Sequence, residues 1–190
     1  MIRQSKNRIV ILGSNGFVAS AVKEKIKNEF KIKCISRKEV DFLKKDAVNK
    51  LKSIIQKDDL IFFAAAVAPV KNENMLIDNL IMCKNICDAL NDILIRKIIY
   101  LSSDAVYSDK MSSLNESSTT NPDSLHGIMH LTREKILLNT FKTKVCIVRP
   151  TLIYGYSDPH NGYGPNMFIR LVKKNLDINL FGKGEEKRDH

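Results

Sequence analysis

Glycines and small residues follow the first apolar stretch of the chain in a pattern suited to binding phosphate. Residues 8–12 are largely β-branched, and Gly13-Ser14-Asn15-Gly16-Phe17-Val18-Ala19 follows at once. Gly13 permits a sharp turn out of a strand, Gly16 lets the backbone approach a pyrophosphate, and Ala19 lets the next helix pack near the sheet. The pattern predicts a dinucleotide-binding turn whose candidate binding residues are Gly13, Ser14, Asn15, Gly16, Phe17 and Val18.

A basic residue follows the second predicted strand, in the sequence Ser36-Arg37-Lys38. A dinucleotide site that selects NAD usually has an acidic side chain at this point, which binds the ribose 2′-hydroxyl. An arginine fits a 2′-phosphate better, so Arg37 favours NADP slightly over NAD as the cofactor. The alternative is that Arg37 is only a surface residue of a basic protein.

The elements that must position these residues alternate between strand and helix. The predicted strands are 8–12, 31–36, 60–65, 97–101 and 145–148, and the predicted helices are 17–30, 44–55, 74–90, 127–140 and 167–174. Residues 108–124 and 154–165 are rich in polar residues, Gly and Pro, which is typical of loops. This alternation predicts an α/β fold with a doubly wound parallel sheet, the Rossmann fold. Ligands of such sheets bind beyond the carboxyl ends of the strands, here after Leu12, Phe63, Leu101 and Val148.

Composition narrows the class of protein. The chain has 190 residues, 44% of them hydrophobic, and a formal net charge of +10. The basic excess is lysine spread along the chain, so it does not favour a nucleic-acid partner over a solvated surface. No apolar run approaches the ~20 residues of a membrane span, and the four scattered cysteines suggest neither a zinc site nor a disulfide framework. We expect a cytoplasmic protein without a membrane or nucleic-acid partner.

Six segments of the chain match, in order, the motifs of one enzyme family. The segments are Gly13–Ala19 for G-x-x-G-[FY]-[IV]-G, Asp59–Ala66 for D-x-V-x-H-x-A-A, Asn79, Leu101–Tyr107 for S-[ST]-x-x-V-[YF], Glu116 with Asn121–Gly127, and Arg149–Gly155 for R-P-x-x-[VI]-Y-G. They resemble the extended short-chain dehydrogenase/reductases, the NAD(P)-dependent nucleotide-sugar epimerases, dehydratases and reductases. The joint order is far more specific than any one motif.

The resemblance implies further site residues. It implies that Asp41, Phe42, Ala64, Ala65, Ala66, Asn79 and Pro150 contact the NAD or NADP cofactor, with Asp41 and Phe42 beside the adenine. It also implies that Ser103 polarises the substrate oxygen and that Asp104, Asn166 and Arg188 contact a nucleotide sugar. An alternative for Arg188 is a frayed chain terminus.

The largest departure from the family lies in the predicted fourth helix. The family has a Tyr and a Lys four residues apart, which transfer a proton and hold the nicotinamide ribose. His126 and His130 stand at those positions. Three interpretations remain open: His126 replaces the tyrosine as proton donor, the site binds a nucleotide without turnover, or the two imidazoles ligate a metal for which no third ligand is evident. Because a third ligand is missing, no residue is predicted to bind a metal.

The resemblance also implies a domain organisation. We expect a Rossmann domain at 1–153 and a partial, truncated substrate lobe at 154–190. The predicted function is that of an NAD(P)-dependent epimerase/dehydratase-like protein acting on a nucleotide sugar, with the His126/His130 pair in place of Tyr and Lys. The alternative is a catalytically inactive nucleotide-binding or regulatory module. A homodimer is the expected assembly.

Overall fold

The chain folds around a five-stranded parallel sheet. The computed structural model describes residues 8–110, 113–155, 157–159 and 164–179. Its strands are β1 (Arg8–Leu12), β2 (Lys31–Ile35), β3 (Leu60–Phe63), β4 (Lys97–Leu101) and β5 (Val145–Val148). These short apolar, β-branched segments are the type that packs between helices on both faces of a sheet. The predicted doubly wound parallel sheet is confirmed.

The strand order places β1 inside the sheet, between β2 and β3. The order is β2-β1-β3-β4-β5, and every neighbouring pair is parallel. In register, Leu12 of β1 lies between Ile35 of β2 and Phe63 of β3. The chain moves outward to one side of β1 and then to the other, and ligands bind at this kind of switch point.

Helices cover the two faces of the sheet unequally. They are α1 (Phe17–Ile26), α2 (Ala47–Ile54), α3 (Glu73–Leu90), α4 (Leu125–Phe141) and α5 (Gly164–Lys173), with 3-10 turns at Asp104–Val106 and Lys142–Lys144. The larger buried cluster joins α2, α3 and α4 to one face, around residues such as Leu12, Phe63 and Ile86. A smaller cluster joins α1 to the other face. The two clusters fix the helices that border the carboxyl edge of the sheet.

Local sequence explains where the longer helices begin. The Asn72 side chain accepts a hydrogen bond from the Met75 amide at the start of α3, and Ser124 does the same for Gly127 at the start of α4. Such caps satisfy amides that have no partner inside the helix. Helix α1 begins after Gly16 without a side-chain cap. Its first amides are therefore available to a ligand.

Element ends differ from the prediction by a few residues. Helix α1 ends at Ile26, where the Glu29 and Phe30 amides turn back onto the Ile26 carbonyl. Helix α2 begins at Ala47, because residues 44–46 form a turn closed by the Ala47 amide on Lys44. Strand β3 ends at Phe63, and the alanines after it enter the loop at the sheet edge.

The chain divides into two compact units. The first unit is Met1–Arg149 and holds the whole sheet with α1 to α4. The second unit is Pro150–His190, and its described part includes α5. Within the part of the chain that the structure describes, no helix has the length and apolar character needed to cross a membrane.

Candidate functional site

The turn after β1 is shaped by one glycine with a left-handed backbone. Gly13 has a φ of +85°, and its amide donates to the Ile35 carbonyl at 2.9 Å. A Cβ at this position would lie 2.6 Å from the Ala65 Cα, inside van der Waals contact. Gly13 therefore lets the turn after β1 and the loop after β3 come together at the carboxyl ends of these two strands.

The next residues open onto solvent at the start of α1. Asn15 and Gly16 are exposed, Ser14 is buried, and Phe17 and Val18 are partly buried. A Cβ built on Gly16 would meet only the Gly13 carbonyl oxygen, at 3.3 Å. The first turn of α1 carries no acidic residue. Bare backbone at an uncapped helix start, open to solvent and free of negative charge, is a fitting cradle for a pyrophosphate.

A cavity of about 220 Å³ extends from this turn along the end of β2. It combines backbone from the glycine turn, apolar side chains and the loop after β3. The lining includes Gly13, Asn15, Gly16, Ser36, Arg37, Val40, Asp41, Phe42, Leu43, Ala64, Ala65, Ala66, Val67 and Met82. It thus brings together most of the predicted cofactor-binding residues, with the small residues Ala64–Ala66 and the glycine turn in one lining.

Arg37 and Asp41 stand at the rim of the cavity. The Arg37 Nε and an Asp41 carboxylate oxygen are 3.4 Å apart, a long ion pair. The Arg37 side chain is 75% exposed, whereas Asp41 is 23% exposed and accepts a hydrogen bond from the Leu43 amide. Arg37 therefore keeps its guanidinium accessible to a ligand, while Asp41 is fixed by the backbone.

Asn79 acts on the cavity wall through the loop after β3. It is completely buried, and its amide group bonds both the N–H and the carbonyl of Val67, with a third bond to the Met75 carbonyl. These contacts occupy its side chain within the protein. Asn79 thus holds Val67, next to Ala66, in place against α3.

Ser103 and Asp104 follow β4 at the same sheet edge. The Ser103 Oγ accepts from the Ala105 amide at 3.1 Å and lies 3.2 Å from an Asp104 carboxylate oxygen, to which it donates. Ser103 therefore caps the 3-10 turn. Both side chains are partly buried, so they remain within reach of a ligand.

Gly127 brings α4 against this 3-10 turn. A Cβ on Gly127 would overlap the Ala105 carbonyl oxygen and would lie 2.7 Å from the Pro122 side chain. The absence of a side chain thus lets the helix backbone contact the turn directly. This close approach places His126 on the same side of the molecule as Asp104.

The two histidines contact each other edge to face. Their ring centroids are 4.7 Å apart at an interplanar angle of 87°. His126 is partly buried, and its Nδ1 lies 3.5 Å from the Val70 amide, which donates to it. His130 is 5% exposed, and its Nδ1 is 2.8 Å from the Tyr100 hydroxyl.

Burial keeps both imidazoles neutral near pH 7. It lowers the pKa of His126, although the Asp104 charge acts in the opposite direction. It lowers the pKa of His130 to about 3, with added repulsion from His126 and the Arg133 guanidinium. Because Nδ1 of His126 accepts from the Val70 amide, the neutral ring carries its hydrogen on Nε2, which can donate to the oxygen of a substrate. No group of three or more His, Cys, Asp or Glu side chains placed to hold a metal occurs among the described residues.

Arg133 is a buried cation that sequence reasoning missed. It is completely buried, donates to the carbonyls of Asn79 and Ala65, and lies with its guanidinium 5.1 Å from the Phe63 ring centre. It thus ties α4 to α3 and to the cavity wall. The sequence offered one signal for the burial of Arg133: it stands three residues after His130, on the inward face of α4.

A second missed group fixes the end of β5. Glu134 is 1% exposed and accepts from Ser102 at 2.6 Å and from two nitrogens of Arg149. Arg149 also donates to the Tyr107 hydroxyl, and the Glu134 carboxylate raises the pKa of Arg149. This network locks α4 to the ends of β4 and β5.

The remaining predicted residues lie in the second unit. Pro150 is partly buried, and Asn166 is buried with its amide donating to the Gly155 carbonyl and to Asp158. Asn166 therefore holds the segment before α5. Arg188 lies outside the described residues.

A comparison of the sequence with models of protein families shows the family of the chain. Residues 9–190 match the model of the NAD dependent epimerase/dehydratase family. The chain belongs to this family.

Solved structures share the fold. UDP-N-acetylglucosamine 4-epimerase from Bacillus cereus has a TM-score of 0.74 at 26% identity, over 87% of this chain and 66% of that one. dTDP-4-dehydrorhamnose reductase from Bacillus anthracis, in complex with NADP, has a TM-score of 0.74 at 24% identity, over 91% and 62%. UDP-glucuronic acid 4-epimerase from Bacillus cereus, in complex with NAD, has a TM-score of 0.78 at 18% identity, over 93% and 66%.

The chain is shorter than these proteins. It spans less than two thirds of the length of each of the three. No curated protein matches the chain significantly.

Proposed function

We propose that the chain binds NAD(P) and acts on a nucleotide sugar as an epimerase, dehydratase or reductase. The observation that carries this proposal is the cavity at the switch point of the sheet. It joins an uncapped helix start, exposed bare backbone at Gly16 and the small residues Ala64–Ala66. Family membership over residues 9–190 supports the same function.

Each part of the cavity has a binding role in this proposal. The amides of Asn15 to Phe17 bind the pyrophosphate, and Ala64–Ala66 leave room for the cofactor against the backbone. Asp41 and Phe42 lie beside the adenine. The exposed Arg37 binds the 2′-phosphate of NADP, so NADP is the slightly preferred cofactor.

The chemistry takes place at the Ser103 and His126 end of the sheet edge. A bound NAD(P) would supply or accept the hydride at the substrate carbon. His126 is the proton donor: as the hydride reaches the substrate carbon, the imidazolium passes its Nε2 proton to the substrate oxygen, and the nearby Asp104 stabilises that imidazolium. Ser103 hydrogen-bonds the same oxygen. Asp104, Asn166 and Arg188 contact the nucleotide sugar.

A homodimer is part of the proposal. Ile77 and Ile81 stand one turn apart on α3 and are 51% and 40% exposed, and Ile128 on α4 is 40% exposed. Helices α3 and α4 pack together on one face of the sheet, so these side chains form an apolar surface suited to a second copy. Light scattering after size-exclusion chromatography tests this assembly, and a monomer at all concentrations contradicts it.

A nucleotide-binding module without turnover is the second candidate. It is favoured by His126 and His130 at the two positions where the resemblance expects Tyr and Lys. His130 is nearly buried and already bonded to Tyr100, and Ser103 already caps a turn. In this candidate the cavity binds the dinucleotide and the sheet edge performs no redox step.

One pair of measurements separates the candidates. Calorimetry with NADH and NADPH tests binding. Chromatographic analysis of the sugar products tests turnover with a panel of UDP- and dTDP-sugars, because an epimerase or dehydratase regenerates its cofactor and leaves the absorbance of the reduced nicotinamide unchanged. Binding with turnover that falls on His126→Gln supports the enzyme, and binding without turnover supports the module. Failure of both nucleotides to bind the unchanged chain overturns both candidates. Gly16→Val is the matched control for binding.

A further inference from the structure

Two buried thiols lie one helical turn apart on α3. Cys83 is completely buried, Cys87 is 6% exposed, and both are free thiols. Residues four apart in a helix share one face, with their Cβ atoms about 5–6 Å from each other. The Cys87 thiol donates a hydrogen bond to the Cys83 sulfur, so the two sulfur atoms face each other. The pair is therefore a dithiol enclosed within the protein.

A buried cation lies beside this dithiol. Arg133 of α4 donates from two nitrogens to the Asn79 carbonyl, and Asn79 stands one turn before Cys83 on α3. Arg133 also donates to the Ala65 carbonyl and to the Tyr100 hydroxyl. All of these acceptors are neutral, so none of them brings a negative charge to the guanidinium. A negative charge formed on the neighbouring sulfurs would be stabilised by this cation.

The two thiols differ in how readily they lose a proton. The hydrogen bond from Cys87 lowers the pKa of Cys83, burial acts in the opposite direction, and the Arg133 charge adds to the lowering. The hydrogen bond to Cys83 and burial raise the pKa of Cys87. Cys83 therefore ionises first and is the sulfur that first binds an incoming metal ion. Thiolates are soft ligands, which select soft metal ions such as Cu(I).

The number and charge of the ligands select the kind of ion. Structural Zn²⁺ takes four ligands, and the described residues contain no cluster of three or more His, Cys, Asp or Glu side chains. Two thiolates suit an ion that takes two sulfur ligands. At a metal–sulfur distance of about 2.3 Å, a linear bridge spans about 4.6 Å, which side chains one helical turn apart can close. Two thiolates with one monovalent ion carry one net negative charge, opposite to the charge of Arg133.

We propose that Cys83 and Cys87 form a two-coordinate binding site for the soft monovalent ion Cu(I). When the ion binds, two S–H bonds break and two copper–sulfur bonds form. Both protons pass to water, and the copper stays Cu(I). Arg133 is the counter-charge of the site. None of these steps needs a dinucleotide, so the inference is independent of the proposed function.

The first test measures stoichiometry and affinity. The chain is titrated with Cu(I) without oxygen, in competition with the chelator bicinchoninate. We expect one tightly bound Cu(I) per chain and a loss of affinity of at least about 100-fold in Cys83→Ala/Cys87→Ala. Cys34→Ala/Cys146→Ala is the matched control, because it removes the other two cysteines and should keep the bound ion. No tight binding by the unchanged chain, or binding that is lost only in the control, overturns the proposal.

The second test counts the ligands, and it does not depend on a variant of the pair. Copper X-ray absorption is measured on Cys34→Ala/Cys146→Ala loaded with one Cu(I). We expect two sulfur neighbours and a monodisperse sample whose mass does not change on loading. Three or more sulfur neighbours, or chains that associate when copper is added, overturn the proposal, since the ion would then bridge different chains.

The third test concerns the counter-charge. Arg133→Met removes the charge and keeps a long side chain, and we expect it to weaken Cu(I) binding by about tenfold. Lys135→Met, which removes an exposed cation of the same helix, is the matched control and should bind as the unchanged chain does. Equal affinities in Arg133→Met and the unchanged chain overturn the role of Arg133.

A measurement of stability separates loss of the site from loss of the fold. Because the ion binds the folded chain, Cu(I) should raise the thermal midpoint of the unchanged chain and of Cys34→Ala/Cys146→Ala. It should leave the midpoint of Cys83→Ala/Cys87→Ala unchanged, whatever that midpoint is without copper. A rise of the same size in the pair variant overturns the proposal.

Discussion

The two ends of the candidate site differ in the groups that form them, main chain at one end and side chains at the other. At the glycine turn, the features that fit a dinucleotide are backbone groups and empty space around Gly13 and Gly16. At the start of α4, the features are side chains that contact one another: His126, His130 and, behind them, Arg133. Few substitutions can alter the first end without destroying it, whereas the second end can change its chemistry residue by residue.

In the proposed function, this difference separates cofactor binding from proton transfer. Arg133 connects the two ends, because it bonds the Ala65 carbonyl of the cavity wall and lowers the pKa of His130. Substitutions at one end should therefore change affinity, and substitutions at the other should change protonation and stability.

Gly16→Val should have the largest effect, and it should affect binding alone. The backbone at Gly16 has φ −67° and ψ 153°, which valine adopts readily. The added side chain would occupy the space for a pyrophosphate, so we expect a loss of NADPH affinity of at least about 100-fold, by calorimetry. Gly13→Ala is the contrasting variant: its positive φ and the nearby Ala65 backbone should lower the thermal midpoint instead. A Gly16→Val protein that binds normally would remove the turn from the site.

The acid sensitivity of the fold should depend on His130. The pKa of His130 is about 3 in the folded chain, against 6.5 for a free imidazole. As the pH falls below 6.5 the unfolded chain takes up the proton first, so stability is full above pH 6.5 and is lost progressively towards pH 3. The loss amounts to about 1 kcal/mol for each pH unit.

Urea unfolding at pH 7 and pH 5 measures this slope. We expect the unchanged chain to lose about 2 kcal/mol more between the two pH values than His130→Gln, whose side chain does not titrate. The comparison uses the slope, so a uniform cost of the substitution does not matter. Parallel slopes would show that His130 is as accessible to protons in the folded chain as in the unfolded chain.

Restoring the family pair should cost stability because of Arg133. In His126→Tyr/His130→Lys, the lysine ammonium would lie beside a buried guanidinium, and we expect destabilisation on the order of 2 kcal/mol. Chemical unfolding of the double variant, with and without Arg133→Met, measures the coupling. The cost should shrink in the Arg133→Met background. An equal cost in both backgrounds would show that position 130 does not sense the Arg133 charge.

Cofactor preference should give the smallest effect, since Arg37 is mostly exposed. A charge-assisted contact to a 2′-phosphate should favour NADP over NAD by about tenfold. Arg37→Ala should remove that gap, and Lys38→Ala, next to it in the chain, is the matched control. Titration of both nucleotides checks the ratio. Equal affinities in the unchanged chain would mean that Arg37 does not contact the cofactor.

Sequence reasoning succeeded where the information was local. The alternation of strands and helices, the turn after β1 and the parallel sheet follow from periodicity and from glycines next to apolar strands. The contacts of Tyr100 and Arg133 could not be predicted, because they join residues 30 and 54 positions away from their partners. A buried arginine that donates to the carbonyls of Asn79 and Ala65 leaves no partner carboxylate in the sequence to reveal it. The roles assigned to Ser103, His126 and His130 remain predictions.

Helix α4 contacts the 3-10 turn through the main chain of Gly127 and Ala105. The helix is seated by main chain against main chain, so its position does not depend on which side chains stand one residue before or three residues after the glycine. Different reactive groups can therefore be exchanged at 126 and 130 while the distance from Ser103 to the helix axis is preserved. For protein engineering, Gly127 is to be left untouched, as are Arg133 and Glu134, whose contacts also hold α4, and positions 126 and 130 are the natural places for a combinatorial library.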